Sequence, residues 1–180
     1  MLGAPFTKAF ASLLGGQSGS LPMMTLPWRK SEDVFIVPQA DRVTVIFALD
    51  FAEQDERALC KVFLMEFADA QRSANNAPPT NFALEAPLEL RSARVRGKPV
   101  GFLSFIIFPQ HVQEGRLESC VTLLTGFRNY LHYHIKATKT YMHMRMRKRV
   151  VGLLQVLNRA VPEAEEKAKK TAQGKTFVRA

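Results

Sequence analysis

The chain has 180 residues, 47% of them hydrophobic, with a formal net charge of +9 and a pI near 9.9. Such a composition lies outside the disordered class and suffices for one sizeable core, while the positive balance favours an acidic counterpart: nucleic acid, an anionic membrane leaflet or an acidic protein polymer. The longest apolar stretch, Val100 to Pro109, has only half of the ~20 residues that a bilayer-spanning helix requires, which excludes a membrane spanner.

From the amino terminus, Phe6, Phe10, Leu13 and Leu14 stand at helical spacing, and the first 28 residues hold a single basic residue, Lys8. A short docking helix fits this better than a targeting segment does. Residues 15–22 (GGQSGSLP) are turn and linker material, so residues 1–22 are expected to form a helix and linker ahead of the domain proper. Strands are predicted at Met23–Arg29, Val34–Val37 and Arg42–Asp50, where β-branched and aromatic residues concentrate, with a tight turn over Pro38–Asp41. From Asp55 to Arg72 the apolar period changes to three and four, with Asp55 and Glu56 in the first turn where the helix dipole favours them. Asn75 to Pro79 ends that helix. Further strands are expected at Asn81–Leu84 and Val100–Pro109, the latter apolar enough to be buried on both faces. The loop between them, with Arg91, Arg94, Arg96 and Lys98, reads as a solvated connection.

From Arg116 one helix of about 42 residues is predicted, with no proline before the one at 162; it would be roughly 60 Å long and longer than a small domain is wide. Its apolar stripe runs through Leu117, Val121, Leu124, Phe127, Leu131, Ile135, Met142, Met146, Val150, Leu153 and Leu157. A helix that overhangs its domain needs apolar cover from a partner helix. Gly126 and Gly152 each weaken the helix but admit a close backbone. The expected architecture is α/β (α+β): an antiparallel sheet of about five strands, one packed helix and a long carboxy-terminal helix, in the order β-β-β-α-β-β-α. The α/β core would occupy residues 23–115, the long helix 116–161 and a basic tail 162–180.

Candidate chemistry is sparse. Cys60 and Cys120 lack zinc-ligand spacing and read as reduced core thiols. His132 and His134 point about 200° apart on a helix, so no metal is held between them. Met142, Met144 and Met146 alternate and are expected to pack at core and rim. Residues 174–176 (GKT) lack the first glycine and the strand of a phosphate loop, and no nucleophile elbow, zinc helix or paired-carboxylate motif occurs. No catalytic, cofactor or metal role is expected. The informative feature is charge: Phe127 to Asn158 contains no acidic residue but carries Arg128, Lys136, Lys139, Arg145, Arg147, Lys148 and Arg149. Cations crowded on one helix repel one another, and an acidic partner surface relieves that repulsion.

The segments Phe127–Lys136 (FRNYLHYHIK), Arg145–Arg147, Leu154–Pro162 (LQVLNRAVP) and Gly174–Phe177 (GKTF) resemble the carboxy-terminal helix and tail of subunit 2 of the actin-related protein 2/3 complex. Asp41–Val45, Lys61–Phe63, Glu66–Phe67, Pro87–Leu90 and Phe108–Pro109 match the same family in the same order. The resemblance implies a cytoplasmic, non-catalytic scaffold of the actin cytoskeleton, whose long helix packs antiparallel on that of subunit 4 and which lies against the side of the mother filament. It implies a seam to the partner subunit at Leu124, Phe127, Leu131, Ile135, Met142 and Met146. Actin contacts are expected from charge at Arg145, Arg147, Lys148, Arg149, Arg159, Lys167, Lys170 and Lys175. The family carries a similar α/β domain ahead of the matched region, which this sequence does not show. The alternative from composition alone is a basic α/β nucleic-acid module with exposed aromatics on a sheet face.

Overall fold

The computed structural model describes residues 3–71, 73 and 77–160. The chain divides into two compact units, residues 1–139 and 140–180.

In the first unit, helix α1 (Ala4–Leu14) starts at a proline in its first turn and buries Phe6, Ala9, Phe10 and Leu13, spaced three and four apart. This face enters the same core as the sheet, with Phe6 edge-on to Trp28 at 6.4 Å and Trp28 edge-on to Phe47 at 6.3 Å. The amino-terminal helix is therefore part of the domain's packing.

Strands β1 (Met24–Arg29), β2 (Glu32–Pro38), β3 (Val43–Leu49), β4 (Thr80–Ala83) and β5 (Gly101–Ile107) form one antiparallel sheet in the order β1-β2-β3-β5-β4. The turn expected at 38–41 is closed by the Gln39 N–H, which donates to the Arg42 carbonyl at 2.8 Å. β2 begins two residues before the run of apolar residues because Glu32 and Asp33, both buried, find cationic partners there. β5 lies between β3 and β4, and six of its seven residues are buried, as its unbroken apolar run requires.

Helix α2 (Gln54–Gln71) presents Cys60, Leu64 and Ala68 at four-residue steps to the sheet, with Asp55 and Glu56 at its amino-terminal end. Of the segment predicted to end it, residues 75 and 76 lie outside the described residues. A four-residue helix α3 (Pro109–Val112) then leads into α4 (Leu117–Ala160), an element of 44 residues.

The helices cover one sheet face. The other carries a smaller cluster of Phe35, Ile46, Ala48 and Phe102 capped by Leu90, with Ala93 and Val95 beside it. The basic loop predicted to be solvated thus covers the back of the sheet. Arg96 pins it: its Nε donates to Asp33 Oδ1 at 2.8 Å, its backbone N–H to Asp33 Oδ2 at 3.1 Å, and Nη2 to the Glu32 carbonyl at 2.9 Å. Gly97 completes the turn at φ +70°, where a Cβ would stand 2.6 Å from the Ser31 carbonyl oxygen.

In the second unit the described residues, 140–160, are helical, and every side chain from Thr140 to Arg159 is exposed.

Candidate assembly surfaces

The amino-terminal part of α4 belongs to this chain's own core. Leu124, Phe127, Leu131 and Ile135 are 0–9% exposed, and Phe127 packs against Phe105 at 5.1 Å and Phe47 at 5.3 Å. The seam predicted at these four residues is corrected accordingly. Helical periodicity marks an apolar face without saying what covers it, and here the cover is the chain's own sheet. Leu123, Tyr130 and Tyr133 point outward instead, at 56–73% exposure. Leu123 and Tyr130, with Gly126, line a cleft of about 510 Å³ floored by Phe67, Phe105 and Phe127.

The cations of this part also have internal partners. Arg128, 3% exposed, donates from Nε to both Glu32 oxygens at 2.8 Å and from Nη2 to the Asp50 carbonyl at 3.2 Å, with its guanidinium 4.3 Å from the Phe51 ring centre. Glu32 also accepts the Asp50 N–H at 2.9 Å. About two turns further Lys136 pairs with Glu56, and about three turns further Lys139 pairs with Glu53 and, at 2.8 Å, with Asp55. The Lys139 hydrogen bonds hold the Glu53 and Asp55 carboxyls below their ordinary pKa and, led by the one to Asp55, raise that of Lys139. Three of the seven cations read as partner-facing therefore meet carboxylates of this chain. The sequence offered no local signal, because those carboxylates lie 80 to 96 positions away for the Lys136–Glu56 and Arg128–Glu32 pairs.

His132 stacks on Phe51, and burial, then Arg128, lowers its pKa. His134 stacks on Phe63 and lies against Tyr130 and Tyr133. Burial raises the pKa of Cys60 to about 12 and that of Cys120 to about 11, which keeps both thiols protonated and unreactive at neutral pH. Among the described residues no group of His, Cys, Asp and Glu is arranged to hold a metal, and no helix is long and apolar enough to cross a membrane.

The second unit presents a different surface. Met142 is 39% exposed and Met146 57%, and Tyr141, Met144, Val150, Val151, Leu153, Leu154, Val156 and Leu157 are more than half exposed. The methionines expected at core and rim are surface residues of this chain. Among the described residues Arg147, Lys148, Arg149 and Arg159 form no ion pair, while Arg145 donates to the Tyr141 hydroxyl at 3.4 Å. Lys167, Lys170, Lys175 and the 174–176 segment lie outside the described residues.

The described part of the second unit thus exposes apolar side chains interleaved with cations that form no ion pair among the described residues. The family model for the Arp2/3 complex 34 kD subunit, p34-Arc, matches residues 1–164, and the chain belongs to that family. It is 40% identical to the actin-related protein 2/3 complex subunit 2 of Schizosaccharomyces pombe, over 100% of this chain and 63% of that protein. It is 39% identical to the protein of the same name from Dictyostelium discoideum, over 98% of this chain and 61% of that protein. The chain thus spans somewhat over three-fifths of the length of these relatives, which are named as subunits of a complex and not for a reaction.

Proposed function

We propose that this chain acts as a non-catalytic scaffold in the actin-related protein 2/3 complex, pairing with subunit 4 through its long helix and gripping the side of the mother actin filament to support branched nucleation. The observation that carries this is the helical segment 140–160, in which ten large apolar side chains between Tyr141 and Leu157 stand exposed beside five cations and no carboxylate. Exposed apolar surface of that extent marks an interaction site. The three- and four-residue steps through Met142, Met146, Val150, Leu153 and Leu157 suit a partner helix. The cations Arg145, Arg147, Lys148, Arg149 and Arg159 suit an acidic filament.

The nucleic-acid alternative is less well supported, because both sheet faces are covered and, among the described residues, leave no aromatic platform for stacked bases. Size-exclusion chromatography with light scattering, on the chain alone and co-expressed with subunit 4, tests the proposal. A one-to-one complex with an aggregated or self-associated lone chain is expected. A stable monomer that ignores subunit 4 overturns it.

A further inference from the structure

We infer that the cations of residues 140–160 serve two partners, and that Arg147 and Arg149 select an amphipathic helix with acidic flanks as the occupant of the apolar stripe between them. This rests on the pairing proposed above and specifies the chemistry of the partner helix. On a helix turning about 100° per residue, Met142, Met146, Val150, Leu153 and Leu157 fall within about 40° of a common midline. Arg149 lies about 60° to one side of it and Arg147 about 100° to the other, whereas Lys148 lies about 160° away. In heptad terms Met146 and Leu153 take d, Val150 and Leu157 take a, Arg147 takes e, Arg149 takes g and Lys148 takes the outermost position, f.

The e and g positions are where paired helices choose their partners by charge. Here both are cationic beside the Met146–Val150 layer, and residues 140–160 contain five cations and no carboxylate. A second copy of this segment has no carboxylate and would offer neither arginine a countercharge in either direction of pairing. An occupant with Asp or Glu on both flanks of its own apolar strip supplies one to each. Neither arginine forms an ion pair among the described residues, so no internal bond is lost in the exchange. Lys148 faces away from the seam and remains for a separate acidic surface.

The test compares the native full chain with the R147E/R149E and K148E variants, each mixed with subunit 4, measuring the affinity of the one-to-one complex across a salt series. Two flank reversals are expected to weaken pairing about tenfold or more at about 0.1 M salt and to invert its salt dependence. K148E is expected to stay within about twofold of the native affinity and to keep its salt slope. All the altered side chains are exposed, so circular dichroism should match across the set. R147Q/R149Q should fall between native and R147E/R149E. Native affinity in R147E/R149E, or an equal loss in K148E, overturns the charge selection and leaves the pairing intact. No complex from the native chain removes the pairing itself, and this inference with it.

Discussion

Replacing Arg128 with methionine removes one partner from a pair in which both residues are 3% exposed. Methionine keeps the aliphatic stem of the arginine but not its guanidinium, so the perturbation is chiefly the loss of the charge and its hydrogen bonds. Glu32 keeps the Asp50 N–H at 2.9 Å, and the Arg29 Nε stays 3.9 Å away, but both short bonds from Arg128 disappear. Breaking a buried pair from one side costs about 3–5 kcal/mol, and the contacts left to Glu32 place this case near the lower figure. With a urea m-value of about 2 kcal/mol/M for a domain of this size, the unfolding midpoint should fall by about 1.5 M. The double variant E32L/R128M removes both charges and should recover most of the loss, because a desolvated pair is worth little against an apolar replacement. A single-variant cost below about 1 kcal/mol, or a double variant no more stable than the single one, would show that this pair is hydrated and does not anchor α4 to β2.

Three more outcomes are expected. Leu131→Asp should unfold the first unit, since it buries an unpaired charge in the core, whereas Met146→Asp should leave the circular dichroism spectrum unchanged and lose pairing with subunit 4; a folded L131D chain that merely fails to pair would restore the original seam. Glu53 and Asp55, depressed below 4.5 and 3.8 by Lys139, contribute stability that is present above those values and lost as pH falls through their lower folded-state pKa; the thermal midpoint of Lys139→Met should therefore depend less on pH in that acid range, and an unchanged profile would refute the clamp. Native Cys60 and Cys120 should react with a disulfide reagent at pH 8 far more slowly than in the urea-unfolded chain, and rapid native labelling would contradict their burial.

Much of the fold was legible because the signals are local. The β-branched and aromatic strands, the change of period at α2 and the long stripe of α4 each depend on neighbours within a few positions, and the observed bounds differ from the expected ones by two residues or fewer. The exception, α1, shows why: its apolar face was visible, but its entry into the sheet's core depends on Trp28 and Phe47, which no local pattern joins to it. The basic loop does expose Arg91, Arg94 and Lys98, but its anchoring on the sheet was illegible for the same reason, the partner of Arg96 being Asp33, 63 positions away.

By itself the sequence determined the class and order of the main elements, the family, and a long helix with an apolar stripe and no acidic residue from Phe127 to Asn158. Only the tertiary structure decided that Leu124, Phe127, Leu131 and Ile135 are core, that Arg128, Lys136 and Lys139 are neutralised within the chain, and that, among the described residues, Arg147, Lys148, Arg149 and Arg159 form no ion pair while the apolar side chains from Tyr141 to Leu157 stand exposed. The physical reason is that periodicity and charge specify what a face requires, whereas which surface meets that requirement depends on contacts between distant parts of the chain.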